Sequence, residues 1–467
     1  MNYLFRVILV LCLFFLVSSG CAQYHYQVNK PLEQLDKDHG YRGRNLRPSE
    51  AKRLSEDTLL MLTFSGGGTR AAALSYGVLE ALRDTEVNRA GKKIRLLDEV
   101  DFMSGVSGGS FTAAYYGLFG DRIFQDYEEK FLKINIQGAL TRRLFFNPYN
   151  WVRLSSPYFA RSDLAAEYYN KYIFEGATFE DMLKMQGPLT IINATDMVHG
   201  TRVAFTQDAF DLICSDLSTY PVARACAASS AVPILLSPIT LKNYAGDCNF
   251  EMPEALKKAL EARTLPDRQF DLANNLTPFL DSKKKPYIHL VDGGVSDNLG
   301  LRAILERIMV MGDAWTTLKY GRLENIHKVV IVVVNAETEV NTKWDRFGFD
   351  LPISAMLESY SSISITKYNT ETVALIRESF PKWAEEIRRG RCPPGQISKE
   401  PGGCGDIEFY LIEVRFDALP DEAERSYFKH LPTSFRLKPD DVDKLREVAR
   451  RILTNSKEFQ RLLNDLQ

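Results

Sequence analysis

The chain predicts an α/β protein with a mainly parallel central sheet, helices on both of its faces in a three-layer arrangement, and a helical C-terminal extension. Three observations carry this. Residues 328–334 read KVVIVVV, apolar without alternation, as expected of a strand covered on both faces. Two strand–turn–helix units follow one another, from about 59 and from about 96. Further short apolar runs recur between helical stretches, the pattern of a sheet with helices packed on it.

The elements follow in order. LLMLTF (59–64) reads as a short buried strand. Gly66 to Gly68 break it, and 69–83 read as a helix with Ala71 to Ala73, Leu74, Val78, Leu79 and Leu82 as its apolar positions. Residues 96–103 read as a second strand, leading into Gly105-Val106-Ser107-Gly108-Gly109, and helix resumes from Phe111. Strands are expected again at 189–195, 201–206, 287–291, 328–334 and 408–415. Apolar residues at 442, 445, 448, 449, 452 and 453 have helical spacing, which predicts a surface helix over 440–466 packed on the body. The expected organisation is a polar tether at 21–57 with little core of its own, a folded body at 58–340, and an extension at 341–467 packed on it.

With 467 residues, 45% hydrophobic and 25% charged, the usage is globular. A net charge of -2 offers no basic field for nucleic acid, and no nucleic-acid motif is visible.

The start of the chain differs. Arg6 precedes an unbroken apolar run of 11 residues, Val7 to Val17, then Ser18, Ser19, Gly20 and Cys21. A membrane-spanning helix needs about 20 residues; charge, apolar run and small residues in that order predict a secretory signal at 1–20. The Gly20-Cys21 junction resembles a bacterial lipobox, in which the cysteine is lipidated, although Ser18 stands where Leu is usual. That resemblance implies two or three acyl chains on Cys21, more than the single chain that holds only marginally. Ala22 in place of Asp implies the outer membrane of a Gram-negative bacterium. Ordinary cleavage leaving a free Cys21, with a periplasmic or secreted protein, is the alternative. Export makes disulfides expected. Cys392 and Cys404 bracket a Pro- and Gly-rich loop and are the first pair; Cys214 with Cys248 is the second; Cys226, in RACAASSAVP, is expected as a buried free thiol. With no CxxC and scattered histidines, no zinc site is expected.

Three motifs carry chemistry. Ser65-Gly66-Gly67-Gly68-Thr69-Arg70 lies between a strand and a helix. Its glycines permit positive φ and close approach, and the N–H groups of Gly66, Gly67 and Gly68 with the helix start behind them suit an oxyanion. Gly105-Val106-Ser107-Gly108-Gly109 fits G-x-S-x-G, a turn that exposes the serine oxygen and aims the N–H of Gly108 at the same oxyanion. Asp292-Gly293-Gly294 follows the strand YIHLV, where α/β proteins place functional carboxylates, although alone it fits a plain turn.

Together, in this order, SGGGTR, GVSGG and DGG resemble the patatin-like phospholipase family, as do RACAASSAVP (224–233), NATDMVHGTRVAF (193–205) and LPTSFRL (431–437). The resemblance covers roughly 58–302. It implies a patatin-like fold and a lipid acyl-ester hydrolase with a Ser107–Asp292 dyad, Arg70 supporting the oxyanion loop, and neither metal nor cofactor. Two positions depart: Ser65 stands where the family often has Asp, and Ala71 where Gly commonly follows the Arg. Neither removes a backbone donor. The partners implied are a phospholipid or other acyl-ester lipid and a membrane surface met through the anchor. No calcium-loop pattern is present, so activity in chelator is expected.

An aspartate of ordinary pKa is a poor base, and the common alternative is a Ser-His-Asp triad. Of the six histidines, His25 and His39 fall in the tether, His199 in a turn, and His327 and His430 beside no motif. His289 is three residues before Asp292, which places it on the opposite face of the strand. Two rivals remain. Gly66, Gly68 and Ala71 also fit a dinucleotide fingerprint, which needs an acidic residue ending the second strand, where the serine elbow stands instead. A non-catalytic lipoprotein binding lipid or a partner on a hydrolase fold is the other.

Residues 145–174 hold ten aromatics in 30 positions, against 11% overall. Core packing is expected for most; an acyl pocket or a lipid-facing surface is the sharper reading for some.

Overall fold

The computed structural model describes residues 24–466 except 27, 46–56, 90, 233–234, 263–266, 340–344, 347 and 349–351. The signal segment and Cys21 therefore lie outside the described residues. In chain order the principal elements are β1 (Thr58–Phe64), α1 (Gly68–Asp84), β2 (Val100–Val106), α2 (Gly108–Phe119), β3 (Leu189–Asp196), β4 (Arg202–Ala204), α3 (Val222–Ser229), β5 (Ile239–Lys242), β6 (Tyr287–Asp292), α4 (Arg302–Met311), α5 (Ala314–Gly321), β7 (Lys328–Asn335), α6 (Ile353–Arg391), β8 (Glu408–Arg415), α7 (Pro439–Asn455) and α8 (Lys457–Asp465).

The sheet has eight strands in the order β8-β7-β1-β2-β3-β6-β5, with β4 also on β3. The first five are parallel; β6, β5 and β4 enter antiparallel. The unbroken apolar run of β7 is explained by its two faces. Val330, Val332 and Val334 pack with Leu60, Leu62 and Phe64 against α1, α2, α3 and α7. Val329, Ile331 and Val333 face α4, α5 and α6. Both sets of side chains are buried, so both contribute, about 1.5–3 kcal/mol for each fully buried Val or Ile. The three-layer α/β/α architecture is the one the sequence predicts.

Three local features differ from expectation. One turn of 3-10 helix (Leu96–Glu99) precedes β2, so the strand starts at Val100. β4 stops at Ala204, because Thr206 caps the next helix by accepting the Ala209 N–H at 3.4 Å. The helix expected over 440–466 is two helices: Ser456 is extended and its hydroxyl caps α8, a residue type that competes with helix interiors and favours their starts. In α7, Val442, Leu445, Val448, Ala449, Ile452 and Leu453 are all buried. It crosses α1 at Gly77, where a Cβ would meet the Arg446 carbonyl at 2.5 Å.

The stretch beyond 340 is more than an outer extension, since β8 pairs with β7 from Lys328↔Glu408 to Asn335↔Arg415. Part of the polar tether is also packed. Tyr41 is in the core and its hydroxyl donates to the Thr190 carbonyl at 3.0 Å. Arg42 is buried against Asp211 at 2.6 Å, and Lys30–Pro31 pairs with Ser215–Asp216. Apart from Tyr41, polar bonds hold this stretch, so its composition gives little sign of packing. Both disulfides form as expected, Cys392–Cys404 and Cys214–Cys248, and Cys226 is a buried free thiol.

Candidate active site

The register of β3 builds the site. Asn193 pairs with Val106 of β2 and with Ala204 of β4. Its neighbour Ala194 pairs with Asp292 of β6 and with Val203 of β4. Consecutive residues of β4 lie along one edge of β3, so β2 and β6 share the other. They run in opposite directions and meet end to end there. The residues at their tips, Ser107 and Asp292, are thereby brought together from 185 positions apart in sequence.

Ser107 has φ 49° and ψ -121°, a conformation that a residue with a Cβ seldom adopts. The surroundings hold it there. Its N–H donates to Ser229 Oγ at 2.9 Å, and its carbonyl accepts from Ser110 N–H at 3.1 Å and Ser110 Oγ at 2.6 Å. Beneath the elbow, Asn193 Nδ2 donates to Ser104 Oγ at 2.9 Å and to the Gly105 carbonyl at 3.1 Å. The glycines on either side are sterically required: a Cβ on Gly105 would lie 2.6 Å from Ser110 Cα, and one on Gly108 only 1.9 Å from the Gly68 carbonyl oxygen.

That last contact places the glycine loop against the elbow. A Cβ on Gly66 would stand 3.4 Å from Ser107 Cβ. Gly67 has φ 141° and Gly68 φ 60°, values open to glycine. Gly66 departs from its expected role, because its N–H already donates to the Asn298 carbonyl at 2.9 Å. Gly68 and Gly108 begin their helices, so neither N–H has a carbonyl one turn back to bond. Gly67, Gly68 and Gly108 thus lie at two helix starts beside the elbow, with their N–H groups outside the helical ladders. Ser65 ties the loop to the end of β7, its hydroxyl oxygen accepting the Ala336 N–H at 2.9 Å.

Arg70 is buried and supports the loop from behind. Its Nε donates to the Ala336 carbonyl at 2.9 Å, one Nη to the Leu431 carbonyl and the other to Thr433 Oγ1 at 3.0 Å. Thr69 N–H donates to the Ser434 carbonyl at 2.9 Å. The stretch 431–434 is thereby strapped onto the start of α1. With only neutral acceptors around it, the guanidinium is pulled down to about 10 by burial. It supports the loop through carbonyls and a hydroxyl, not through a carboxylate.

Asp292 is buried, and burial pushes its carboxyl up to about 6; the Gly294 N–H that donates to it and the neighbouring Ser107 side chain oppose the shift. The Gly294 bond to Oδ1 is 2.8 Å. Its backbone is fixed on both sides, by its N–H to the Ala231 carbonyl at 3.1 Å and by Thr195 Oγ1 donating to its carbonyl at 2.9 Å. A second buried carboxyl, Asp297, is pushed up to about 7 by burial, but its neighbours are Arg202, Glu306 and Arg302 rather than Ser107. No histidine joins the pair. His25 stacks on Tyr158, His39 meets Asp36, and His199 meets Asp196 and Lys285. His289 meets Thr240, His327 the Asp406 carbonyl, and His430 the Ser426 carbonyl. Where a dinucleotide site needs an acid at the end of β2, Asp101 instead accepts the Leu60 N–H inside the sheet.

Sequence reading missed Ser229 and Asn298. Ser229 binds both halves of the site, with its hydroxyl on Ser107 and its carbonyl accepting the Gly293 N–H at 3.1 Å. Asn298 sits between Gly66 and Gly294: its Oδ1 would be 2.5 Å and 3.0 Å from a Cβ on each. The signal for Ser229 was present, since RACAASSAVP stood out without a role.

The aromatic segment also departs from expectation. Phe159, Tyr169 and Phe174 are core, but Phe145, Phe146, Tyr149, Trp151, Tyr158 and Tyr172 are exposed. Two short helices, Ile136–Phe145 and Pro148–Leu154, carry Phe145, Tyr149 and Trp151 outward. None lines the cavity of about 650 Å³ between the sheet and α4 and α5, which Met61, Phe102, Ile191, Ile304 and Leu318 help to line. That cavity holds neither Ser107 nor Asp292.

Fold and site together define an α/β protein with a G-x-S-x-G elbow facing a strand-end carboxylate. The patatin-like phospholipase family matches residues 62–305, and the chain belongs to this family. The match includes the glycine loop, Ser107 and Asp292, and stops before β7, β8 and the strap. Among solved structures the chain is similar to human GIVD cytosolic phospholipase A2, at 14% identity and TM-score 0.44 over 88% of this chain and 60% of that one. It is likewise similar to that human enzyme in complex with methyl gamma-linolenyl fluorophosphonate, at 15% identity and TM-score 0.41 over 88% and 59%. The chain thus spans about 60% of the length of these structures. No curated protein matches it.

Proposed function

We propose that the protein hydrolyses acyl esters of lipids, with Ser107 as nucleophile, Asp292 as its base and Gly67, Gly68 and Gly108 as oxyanion donors. The observation that carries this is that β2 and β6 end head to head beside β3, which brings Ser107 next to a buried Asp292 carboxyl. Family membership supports the substrate class.

In the acylation step, Ser107 Oγ attacks the ester carbonyl carbon while its proton passes to the Asp292 carboxylate. The carbonyl oxygen becomes an oxyanion, held by backbone N–H groups that need no reorganisation. Collapse breaks the bond to the alcohol, which leaves with the proton from Asp292, and the acyl group remains on Ser107. Water then attacks this ester, gives a proton to Asp292, and releases the acid as Ser107 regains its proton. A carboxyl near 6 suits both halves, being ionised at neutral pH yet more basic than an exposed aspartate.

We further propose, from the lipobox-like junction, that Cys21 carries a lipid anchor on an exported protein. The test of the hydrolase reading is lipid product analysis with wild type, Ser107→Ala and Asp292→Asn. Free acid released by wild type and by neither variant is expected; release by Ser107→Ala would refute the assignment. A folded wild type that releases nothing would favour a binding lipoprotein.

A further inference from the structure

We propose that the exposed aromatic surface over residues 142–158 is a membrane-docking face, and that its occupant is an anionic lipid surface. The inference rests on the lipid-hydrolase reading for its purpose and on independent geometry for its place.

Phe145 and Phe146 are 60% and 78% exposed, Tyr149 58%, Trp151 53% and Tyr158 47%. Five large exposed rings thus fall within one short stretch, a concentration of the kind that marks an interaction site. The mixture of Trp and Tyr with Phe is that of a water–bilayer boundary. Trp151 is held in place, its Nε1 donating to the Leu144 carbonyl at 2.9 Å. Arg142 and Arg143 border the rings and form a recess with Phe146 and Asn147. Arg143 lies over the rings of Tyr168 and Tyr172 rather than on a carboxylate. Glu167 is held by Arg153. The border is therefore net basic, which complements anionic head groups.

A second observation points the same way. The described chain begins on this surface. The Tyr24 ring meets Tyr149 edge-on at 6.1 Å, His25 stacks on Tyr158 at 4.7 Å, and the Tyr26 N–H donates to the Tyr158 carbonyl at 2.9 Å. Ser156 Oγ donates to the Tyr24 carbonyl at 2.8 Å. Three residues from Cys21 to Tyr24 reach at most about 10 Å. A lipid on Cys21 would hold these rings at the bilayer.

The face also connects to the site. After α3, the Ala231 carbonyl fixes Asp292, Val232 and Leu235 are exposed, and Ser237 accepts the Ser162 N–H at 3.0 Å. At the other edge, the Gln137 N–H donates to the Phe435 carbonyl at 3.3 Å, joining the helix Ile136–Phe145 to the strap on Arg70. Docking would present the site to lipid in a fixed orientation.

The test uses the full chain with Cys21→Ser, so that the anchor does not mask the surface. On vesicles of phosphatidylglycerol and phosphatidylcholine with brominated chains, tryptophan emission is expected to be quenched, and Trp151→Phe is expected to abolish the quenching. Phe145→Ser with Phe146→Ser is expected to lower partition about tenfold or more while hydrolysis of a soluble short-chain ester stays at the wild-type rate. Pure phosphatidylcholine vesicles should bind more weakly. Unquenched Trp151, or concentration-dependent dimers that lose the Trp151 exposure, would overturn the proposal. Quenching without ester hydrolysis would instead leave docking standing and break the hydrolase reading.

Discussion

Ser107 and Asp292 end two strands that meet head to head beside β3, yet they are specified by different means. Ser107 is set first by its own turn, with flanking glycines, a positive φ and Ser110 one turn on, and is then braced by Ser229 and Asn193. Asp292 lies in ordinary strand backbone, and what makes it a candidate base comes from afar. Ala231, Thr195 and the surrounding core bury it and push its carboxyl up to about 6. A nucleophile's backbone geometry is largely a property of its turn, whereas a base's strength is a property of the packed fold.

The largest expected effects test the two halves separately. Ser107→Ala should lower ester hydrolysis by roughly a thousandfold or more, and Asp292→Asn by a similar factor, measured as kcat/KM on folded protein. If Asp292→Asn retained most activity, the comparison would fail at its non-local half. Gly108→Ala comes next. Its Cβ would meet the Gly68 carbonyl at 1.9 Å, separating the elbow from the loop, and a loss of about a hundredfold in kcat is expected, as for removal of one oxyanion donor.

Arg70→Lys should act on the loop through its support. One ammonium cannot reproduce three bonds to Ala336, Leu431 and Thr433. A stability loss of about 2–3 kcal/mol in denaturant titration, with reduced activity, is expected.

The pH dependence probes Asp292 directly. The base must be ionised, so kcat/KM should fall about tenfold per unit below pH about 6. Stability has the opposite sign. A raised aspartate pKa means the folded state disfavours the charged form. Nothing is lost below about pH 4, where the group is protonated folded or unfolded; stability declines between about 4 and 6 and remains reduced above. Asp292→Asn escapes this penalty and should gain on the order of 2–3 kcal/mol at pH 7 and little at pH 4, by thermal melts. A variant inactive yet more stable at neutral pH is the signature expected of a functional carboxyl. The smallest effect is Ser229→Ala, which removes the Ser107 N–H acceptor but leaves the carbonyl that holds Gly293. About 1 kcal/mol is expected, with kcat lowered several-fold.

The sequence made the layers legible because β7 is apolar on both faces and the two strand–turn–helix units are local. The elbow was legible for the same reason. The strap was not: Arg70 meets Leu431 and Thr433 across 361 and 363 positions, and only the familiar look of LPTSFRL marked it. The role of Gly66 was misjudged because its N–H pairs with Asn298, a contact between distant loops. The packed part of the tether was hidden because polar groups such as Arg42 and Asn29 hold it. The aromatic segment looked like core because composition counts rings without saying which way a short helix turns them.

The most direct measurement is mass-spectrometric mapping of a fluorophosphonate probe on wild type and on Asp292→Asn. Modification of Ser107 in wild type, reduced at least about a hundredfold in rate by Asp292→Asn, is the predicted result. Modification of another serine, or of Ser107 at an unchanged rate in Asp292→Asn, would contradict the pairing of these two strand ends.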